Sequence, residues 1–408
     1  MKDGWGVEKI GDVFETGAGG TPLKAKKANY ENGTIPWLLS GEVNQRFITN
    51  SKNFITQVGL EDSSAKLFPE NTVLVAMYGA TAGQVGLLKF ECCTNQAVCG
   101  ILPNSKVIPD FLYYYLLSKK EDLIAQAVGN AQPNISQAKV KATSIPLPPL
   151  PEQKRIVAIL DQAFKAINQA EANIERNIAN AEELWQSKLN KVFSQDGVGW
   201  EEKTLIELTD KIGSGATPRG GQASYKDSGI SLIRSMNVHD EGFRKKKLAF
   251  IDEEQAAKLN NVTVENGDVL LNITGASVAR CCVMESEILP ARVNQHVSII
   301  RPKKGRINSQ FLHYALTCQE NKKKLLGIGE QGATRQAITK AQIQTFKISF
   351  PKSIEAQERI IIEINETRKM TGRIVDILSQ KIASTEELKK SILQKAFSGE
   401  LTEKEVVV

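Results

Sequence analysis

The sequence predicts an α+β protein written twice: two similar globular domains joined by two long antiparallel helices that pair as a coiled coil. Three observations predict this. Segments of the first half return in the same order in the second, at an offset growing from 195 to 204. Two stretches of about 42 residues carry apolar residues at coiled-coil spacing. The remainder mixes short β-rich runs with Gly, Asn and Pro punctuation, without the regular strand–helix alternation of a doubly wound sheet.

The ordered series carries the repeat. GWGVEKIGDVFETGAGGTP (4–22) returns as GWEEKTLIELTDKIGSGATP (199–218), and IPWLLSGEVN (35–44) as ISLIRSMNVH (230–239). PENTVLVAMYGATAG (69–83) is answered by VENGDVLLNITGASV (264–278), and TNQAVCGILP (94–103) by VNQHVSIIRP (293–302). PDFLYYYLL (109–117) matches SQFLHYALT (309–317), GNAQPNISQAKV (129–140) matches QGATRQAITKAQI (331–343), and SKLNKVFS (187–194) matches SILQKAFS (391–398). Two copies of one unit imply an approximate internal twofold even in a monomer. TVLVAMY and DVLLNI read as strands followed by glycine turns. FLYYYLLSKKEDLIAQAV and FLHYALTCQENKKKLL read as short helices. The predicted boundaries are a first domain over 1–150, a first helix over 151–195, a second domain over 196–350, and a second helix with its tail over 351–408.

In the first helix, apolar residues fall at Ile156, Leu160, Ala163, Ile167, Ala170 and Ile174, then slip by four to Ile178, Ala181 and Trp185. The second runs Ile360, Ile364, Thr367, Thr371, Ile374, Leu378, Ile382 and Thr385, with the slip at the same place. Each helix would be roughly 60 Å long at 1.5 Å per residue. Pro146, Pro148, Pro149 and Pro151 hold the first entry extended. Pro151 and Glu152 suit the first helical turn. In the second entry Ser353 is the expected N-cap and Glu355 the first-turn acid.

Composition is that of a globular chain of two or three domains: 408 residues, 41% hydrophobic and 24% charged. The net charge of +6 permits a polyanionic partner without demanding one. No apolar run approaches the ~18 residues of a membrane span, and the first residues hold no secretory h-region. The six cysteines, among them the adjacent pairs Cys92–Cys93 and Cys281–Cys282, lack zinc-site spacing and read as free thiols in strands. A cytoplasmic location follows.

GTP near the start, GATAGQVG after a strand, TNQAV, and IPLPPLPEQKRIVAIL with its long helix together resemble the DNA-specificity subunit of type I restriction-modification systems. The resemblance covers nearly the whole chain, repeat included. The second copy departs from it: FPKSIEAQERI lacks the double proline, and GASVARC lacks the second glycine pair. The resemblance implies two target-recognition domains, each reading one half of a bipartite double-stranded DNA target across an unread gap. It implies that the helices bind two methyltransferase subunits, and that an added translocating nuclease subunit would restrict unmethylated DNA.

Chemistry within the chain is not expected. NPPY- and DPPY-type motifs are absent, no G-x-G-x-x-G opens a helix after a strand, and neither GATAGQVG nor GIGEQGAT completes a phosphate-binding loop. The three histidines, His239, His296 and His313, share no local motif. No cofactor and no metal are therefore expected.

The repeat sorts the DNA-contact candidates. Domains reading different half-sites should share scaffold and phosphate contacts and differ where bases are read. Asn95–Gln96 and Asn294–Gln295 occur in both copies and read as structural. Thr21–Pro22 and Thr217–Pro218 read as turns, with Thr21 also touching phosphate. The differing loop residues are Lys24, Lys26 and Lys27 against Arg219; Asn44, Gln45 and Arg46 against Arg234, Asn237 and His239; Gln84 against Arg280; and Asn130, Gln132 and Asn134 against Arg335 and Gln336. Such donors suit base edges or phosphates, although solvated loop residues look the same. Residues 196–350 hold 22 basic and 17 acidic side chains against 14 and 13 in residues 1–150, so the second domain holds most of the positive excess. The basic runs Arg244–Lys247 and Lys322–Lys324 could add phosphate affinity. Two other readings fit the same residues: a recognition subunit served by a fused methyltransferase-nuclease, and a coiled-coil scaffold whose end domains bind protein or glycan.

Overall fold

The computed structural model describes residues 2, 4–126, 134–194, 199–330 and 336–402. The chain divides into two compact units, one of Met1–Ile174 with Gln380–Val408 and one of Glu175–Ser379. Both long helices are present, Leu150–Phe193 and Ile354–Ser398, and each passes from one unit into the other.

In the first unit a five-stranded sheet has the order Thr16–Ala18, Val98–Ile101, Val73–Ala76, Val85–Leu88, Phe47–Ile48. The run TVLVAMY supplies its central strand, fully buried because both faces are covered. One face carries the helix Pro109–Ser118, whose Phe111, Leu112 and Tyr114–Leu116 are buried against Val73, Val75 and Leu87. A four-stranded sheet (Phe54–Ile55, Ile35–Leu38, Cys92–Thr94, Leu67–Phe68) completes the domain.

The second unit repeats the plan. Thr209–Ser214, Val297–Pro302, Val269–Asn272 and Cys281–Val283 form its main sheet. Ala249–Ile251, Ile230–Ile233 and Ala291–Val293 form the second. Helix Ser309–Thr317 takes the place of Pro109–Ser118. All six cysteines are free and buried. Burial, with a smaller contribution from the Glu91 charge, pushes the Cys93 thiol up to about 11, so it offers no reactive thiolate.

The proline-rich entry is a strand, Ser144–Leu147, paired antiparallel with Gly6–Lys9. Its counterpart Lys347–Pro351 pairs with Trp200–Thr204. Three residues into each helix a buried glutamine bolts helix to domain. Gln153 accepts from the Ile108 amide at 2.9 Å and donates to the carbonyls of Lys106 and Pro148 at 3.1 and 2.9 Å. Gln357 accepts from the Asn308 amide at 2.8 Å and donates to Arg306 and Pro351 at 3.1 and 2.9 Å. Ser353 caps the second helix, its hydroxyl accepting from the Ala356 amide at 3.2 Å. In the first helix Glu152 instead accepts from Lys2 at 2.6 Å, Trp5 Nε1 at 3.3 Å and Thr402 at 2.6 Å.

Within each unit the helix segments pair antiparallel. In the first, Ile156 and Leu160 share a core with Leu393 and Ala396, while Glu171 holds Lys389 at 2.8 Å and Thr385 at 2.6 Å. In the second, Leu189 packs with Ile364, and Arg368 lies 5.5 Å from the Trp185 ring centre. The expected stripe needs two corrections. Ala170 and Ile374 are exposed, and Glu171 and Val375 turn inward in their place. A helix of 3.6 residues per turn drifts against a 3.5-residue repeat, and the Glu171–Lys389 pair occupies the position Ala170 was expected to fill.

Replacing Gln153 by Leu would leave one buried N–H and two carbonyls without partners. Gln153→Leu should cost the first unit about 3 kcal/mol in urea unfolding, whereas Gln169→Leu on the exposed helix face should cost under ~0.5 kcal/mol. Equal effects would contradict the bolt.

His313 is a core residue. Burial lowers its pKa to about 4, with Asp240 opposing and Arg368 assisting that shift. Unfolded, it would titrate near 6.5 and take up its proton first, so its stabilising share is complete above that pH and lost as pH falls toward 4. The protection of the Val269–Asn272 amides, with the intrinsic pH dependence of exchange divided out, should fall over that window by up to roughly 3 kcal/mol. His313→Gln should flatten the dependence.

Candidate nucleic-acid interface

In each unit three loops are drawn to one place by the ends of the main sheet. The first is the Thr-Pro loop. Gly19 packs so tightly that a Cβ there would lie 2.2 Å from the Thr94 carbonyl oxygen, and at Gly215 it would lie 1.8 Å from that of Val293. Only glycine allows this approach. It brings Thr21 and Thr217 onto the Asn-Gln turn, where each donates its hydroxyl proton to a glutamine Oε1, Gln96 and Gln295 respectively. Asn95 and Asn294 close that turn by accepting from the amides of Ala97 and His296 at 3.2 and 3.0 Å. They are structural, as the repeat implied.

The second loop is the glycine turn. Met77 N donates to Ala97 O at 2.7 Å, and Ile273 N donates to His296 O at 3.0 Å, setting Tyr78 and Thr274 beside the Asn-Gln turn. Gly79 and Gly83 have φ of 68° and 78°, Gly275 and Ala279 of 72° and 65°. The second copy thus keeps the left-handed turn without its second glycine, at a strain of order 1 kcal/mol. Gln84 and Arg280 end these turns at equivalent places, half-buried, each carbonyl accepting from the strand (Ala76 and Asn272 amides, 2.9 and 2.8 Å).

The third loop precedes the helix entry. Asn134 bridges to Tyr78, Ala337 bridges to Thr274, and Gln336 O accepts from Gly275 N at 3.0 Å. Asn130, Gln132 and Arg335 lie outside the described residues.

Thr21, Gln84 and Asn134 are therefore gathered in the first unit, and Arg280 and Gln336 in the second. Lys24 and Arg219 follow the Thr-Pro loop, exposed and without a side-chain partner among the described residues. Lys26 is paired with Asp62, and Lys27 lies 3.6 Å from Glu31. Asn44 and Gln45 are exposed, and the Gln45 carbonyl borders Gly86 on the strand after the glycine turn.

Three expected base readers have other occupations. Arg46 is held in the domain–helix joint by Asp110 and Asp161, each at 2.7 Å, and by the Tyr114 hydroxyl at 3.0 Å, with the Phe47 ring 4.5 Å away. Asn237 is 0% exposed and binds the Arg244 and Lys246 carbonyls at 2.9 and 3.3 Å, closing its own loop. Arg234 donates to the Lys247 carbonyl and stacks 5.3 Å from the Tyr225 ring centre. These side chains are engaged within the fold, Asn237 and Arg234 by backbone carbonyls and Arg46 by side chains, a demand that sequence composition does not distinguish from base reading. His239 remains at the surface, its Nε2 3.1 Å from the Met236 carbonyl. The basic runs are half neutralised: Arg244 pairs with Glu241, Lys245 with Glu287, Lys322 with Asp240 and Lys324 with Glu320.

Tyr78, Thr274 and His296 also stand at the gathered loops. The signal for them lay in the matched segments, where Tyr faces Thr and Ala97 faces His296 on otherwise corresponding turns. Among the described residues no cluster of His, Cys, Asp or Glu could hold a metal ion, and no helix is long and apolar enough to cross a membrane.

The sequence profile of the type I restriction modification DNA specificity domain matches residues 2–178 and 197–396. The chain is 27% identical over 190 residues to the type I restriction enzyme EcoR124I/EcoR124II specificity subunit of Escherichia coli, covering 45% of this chain but only 47% of that relative. It is 24% identical over 426 residues to the MjaVIII specificity subunit of Methanocaldococcus jannaschii, covering 98% of this chain and 94% of that one. A solved chain from work on complex assembly and conformational transition of the type I R-M system has the same fold, with a TM-score of 0.77 at 22% identity over 97% of this chain and 98% of that one.

Arg46→Ala should destabilise the first unit by about 1–3 kcal/mol, because it strips the partly buried Asp110 and the Tyr114 hydroxyl of a charged partner. Lys24→Ala should change stability by less than ~0.5 kcal/mol. Urea titration of both variants reads the difference; a neutral Arg46→Ala would return that residue to the free surface.

Proposed function

Because the chain belongs to the type I restriction-modification DNA specificity family, and is a DNA-recognising, non-catalytic subunit, we propose that each globular unit reads one half of a bipartite target. The observation that carries this is the doubled loop cluster. Both units gather the same three loops with the same Thr–Gln hydrogen bond, yet present unlike side chains around it. A shared frame with divergent donors is what two readers of unrelated half-sites require.

In this reading residues 1–150 and 196–350 are the two target-recognition domains, and residues 151–195 and 351–408 supply the helices with the C-terminal tail. Lys24, Arg219, Asn44, Gln45, Gln84, Arg280, Asn134, Gln336 and His239 contact DNA, the lysine and arginines mainly through phosphate. The long helices dock methyltransferase subunits. Outward apolar residues support this: Met370, Ile374 and Ile377 form one exposed stripe, with Leu184 and Leu388 exposed elsewhere on the helices. A translocating nuclease would join that assembly to restrict unmethylated DNA. The modest charge of the first domain leaves much of the DNA grip to those partners. Six buried free thiols fit a cytoplasmic setting.

Selection from randomised duplexes by the full chain with its methyltransferase subunits should return two unrelated half-sites at a fixed gap. Exchanging residues 1–150 for those of a family member with another target should change one half only. Recovery of no motif would contradict base-specific reading. Lys24→Ala and Arg219→Ala should each lower affinity without changing the motif, and reduce the slope of log affinity against log salt by about 1.

A further inference from the structure

The Asn-Gln turn is common to both units, but what its glutamine can offer a ligand is not. In the first unit Thr21 occupies Gln96 Oε1, and the Nε2 group has no partner among the described residues. An exposed carboxamide is thus oriented with its two N–H donors unused. Beside it Tyr78, 39% exposed, offers a phenolic hydroxyl without a partner among the described residues.

In the second unit the same glutamine is drawn into a chain. Thr217 donates to Gln295 Oε1, and Gln295 Nε2 lies 3.1 Å from His296 Nε2. His296 Nδ1 lies 2.5 Å from Thr274 Oγ1. An amide nitrogen only donates, so His296 Nε2 accepts, Nδ1 carries the ring proton, and Thr274 Oγ1 receives it. The donors left over are the Thr274 hydroxyl and one Gln295 N–H. The backbone around the two turns is held alike, by Met77 on Ala97 and by Ile273 on His296.

Two side-chain positions therefore decide the difference: Tyr78 against Thr274, and Ala97 against His296. We propose that these positions set the base preference of each unit, by fixing which hydrogen-bond donors the shared glutamine turn presents to a base edge in the major groove. Gln96 would give a pair of donors to acceptors such as guanine O6 and N7, with Tyr78 beside it. Gln295 would give one, with the Thr274 hydroxyl as its neighbour. This assignment rests on the reading of the units as DNA recognisers.

The test is the duplex selection with the full chain and its methyltransferase subunits, run on three proteins. The unaltered chain is scored first; if it returns no two-part motif, the recognition reading fails and this assignment with it. Given a motif, the Tyr78→Thr, Ala97→His double variant should shift preference at one or more base pairs of one half by about tenfold or more, with the other half and the gap kept. His296→Ala should do the same to the opposite half alone. Unchanged motifs in both variants, or changes spread over both halves, would overturn the assignment while leaving two-part recognition standing. Thr274→Val, which removes only a hydroxyl, gives the same readout should either variant fail to fold.

Discussion

A buried carboxamide at the root of each long helix is the constraint on which the architecture depends. Gln153 and Gln357 have 1% and 0% of their surface exposed, and each satisfies one backbone amide and two backbone carbonyls. Such a group has no water to fall back on, so any other angle between helix and domain would leave polar atoms unpaired. Apolar packing alone would tolerate rotation of the helix; a three-point hydrogen-bonded bolt does not. Neighbouring contacts reinforce it: Tyr114 donates to Asp161 at 2.8 Å, and Tyr314 donates to Asn365 at the corresponding place. A reader whose domains must address fixed positions on a stiff duplex needs this kind of rigidity.

The two units solve the same problem with different chemistry around a constant core. Phe397 packs edge-on against Phe111, and Phe193 is tilted against Phe311. The first joint adds a cation, Arg46, between carboxylates. In the second the polarity is reversed: Asp240 pairs with Lys322 and the Glu241 carbonyl accepts from Arg368. The same pattern holds at the loop clusters, where Gly19 and Gly215 preserve the backbone approach while the side chains around it diverge. The close backbone approaches at Gly19 and Gly215 are kept, while the exposed side chains around them differ.

Much of this was legible in the residues. The repeat, both helices, the strands of TVLVAMY and DVLLNI, and the N-cap at Ser353 all follow from spacing, propensity and capping. What was not legible depends on burial of polar groups. Asn237 and Arg46 look like surface donors in a loop, but Asn237 is buried against the backbone of its own loop and Arg46 is held by carboxylates far away in sequence. Ala170 and Ile374 match the apolar stripe, yet Glu171 and Val375 turn inward because pairing and helical drift depend on the partner helix. Conversely, recurrence in both copies marks the Asn-Gln turn as scaffold. That is right for Asn95 and Asn294, while Gln96 and Gln295 sit exposed at the gathered loops.

In the proposed reading both units meet DNA through the same three-loop face. Hydrogen–deuterium exchange of the full chain in its assembly with methyltransferase subunits, free and on a target duplex, tests it most directly. Exchange should slow on binding in residues 19–24, 78–84 and 95–98 of the first unit, and in 215–219, 274–280 and 294–297 of the second. Protection confined to one unit, or to the long helices with both loop clusters unchanged, would contradict it.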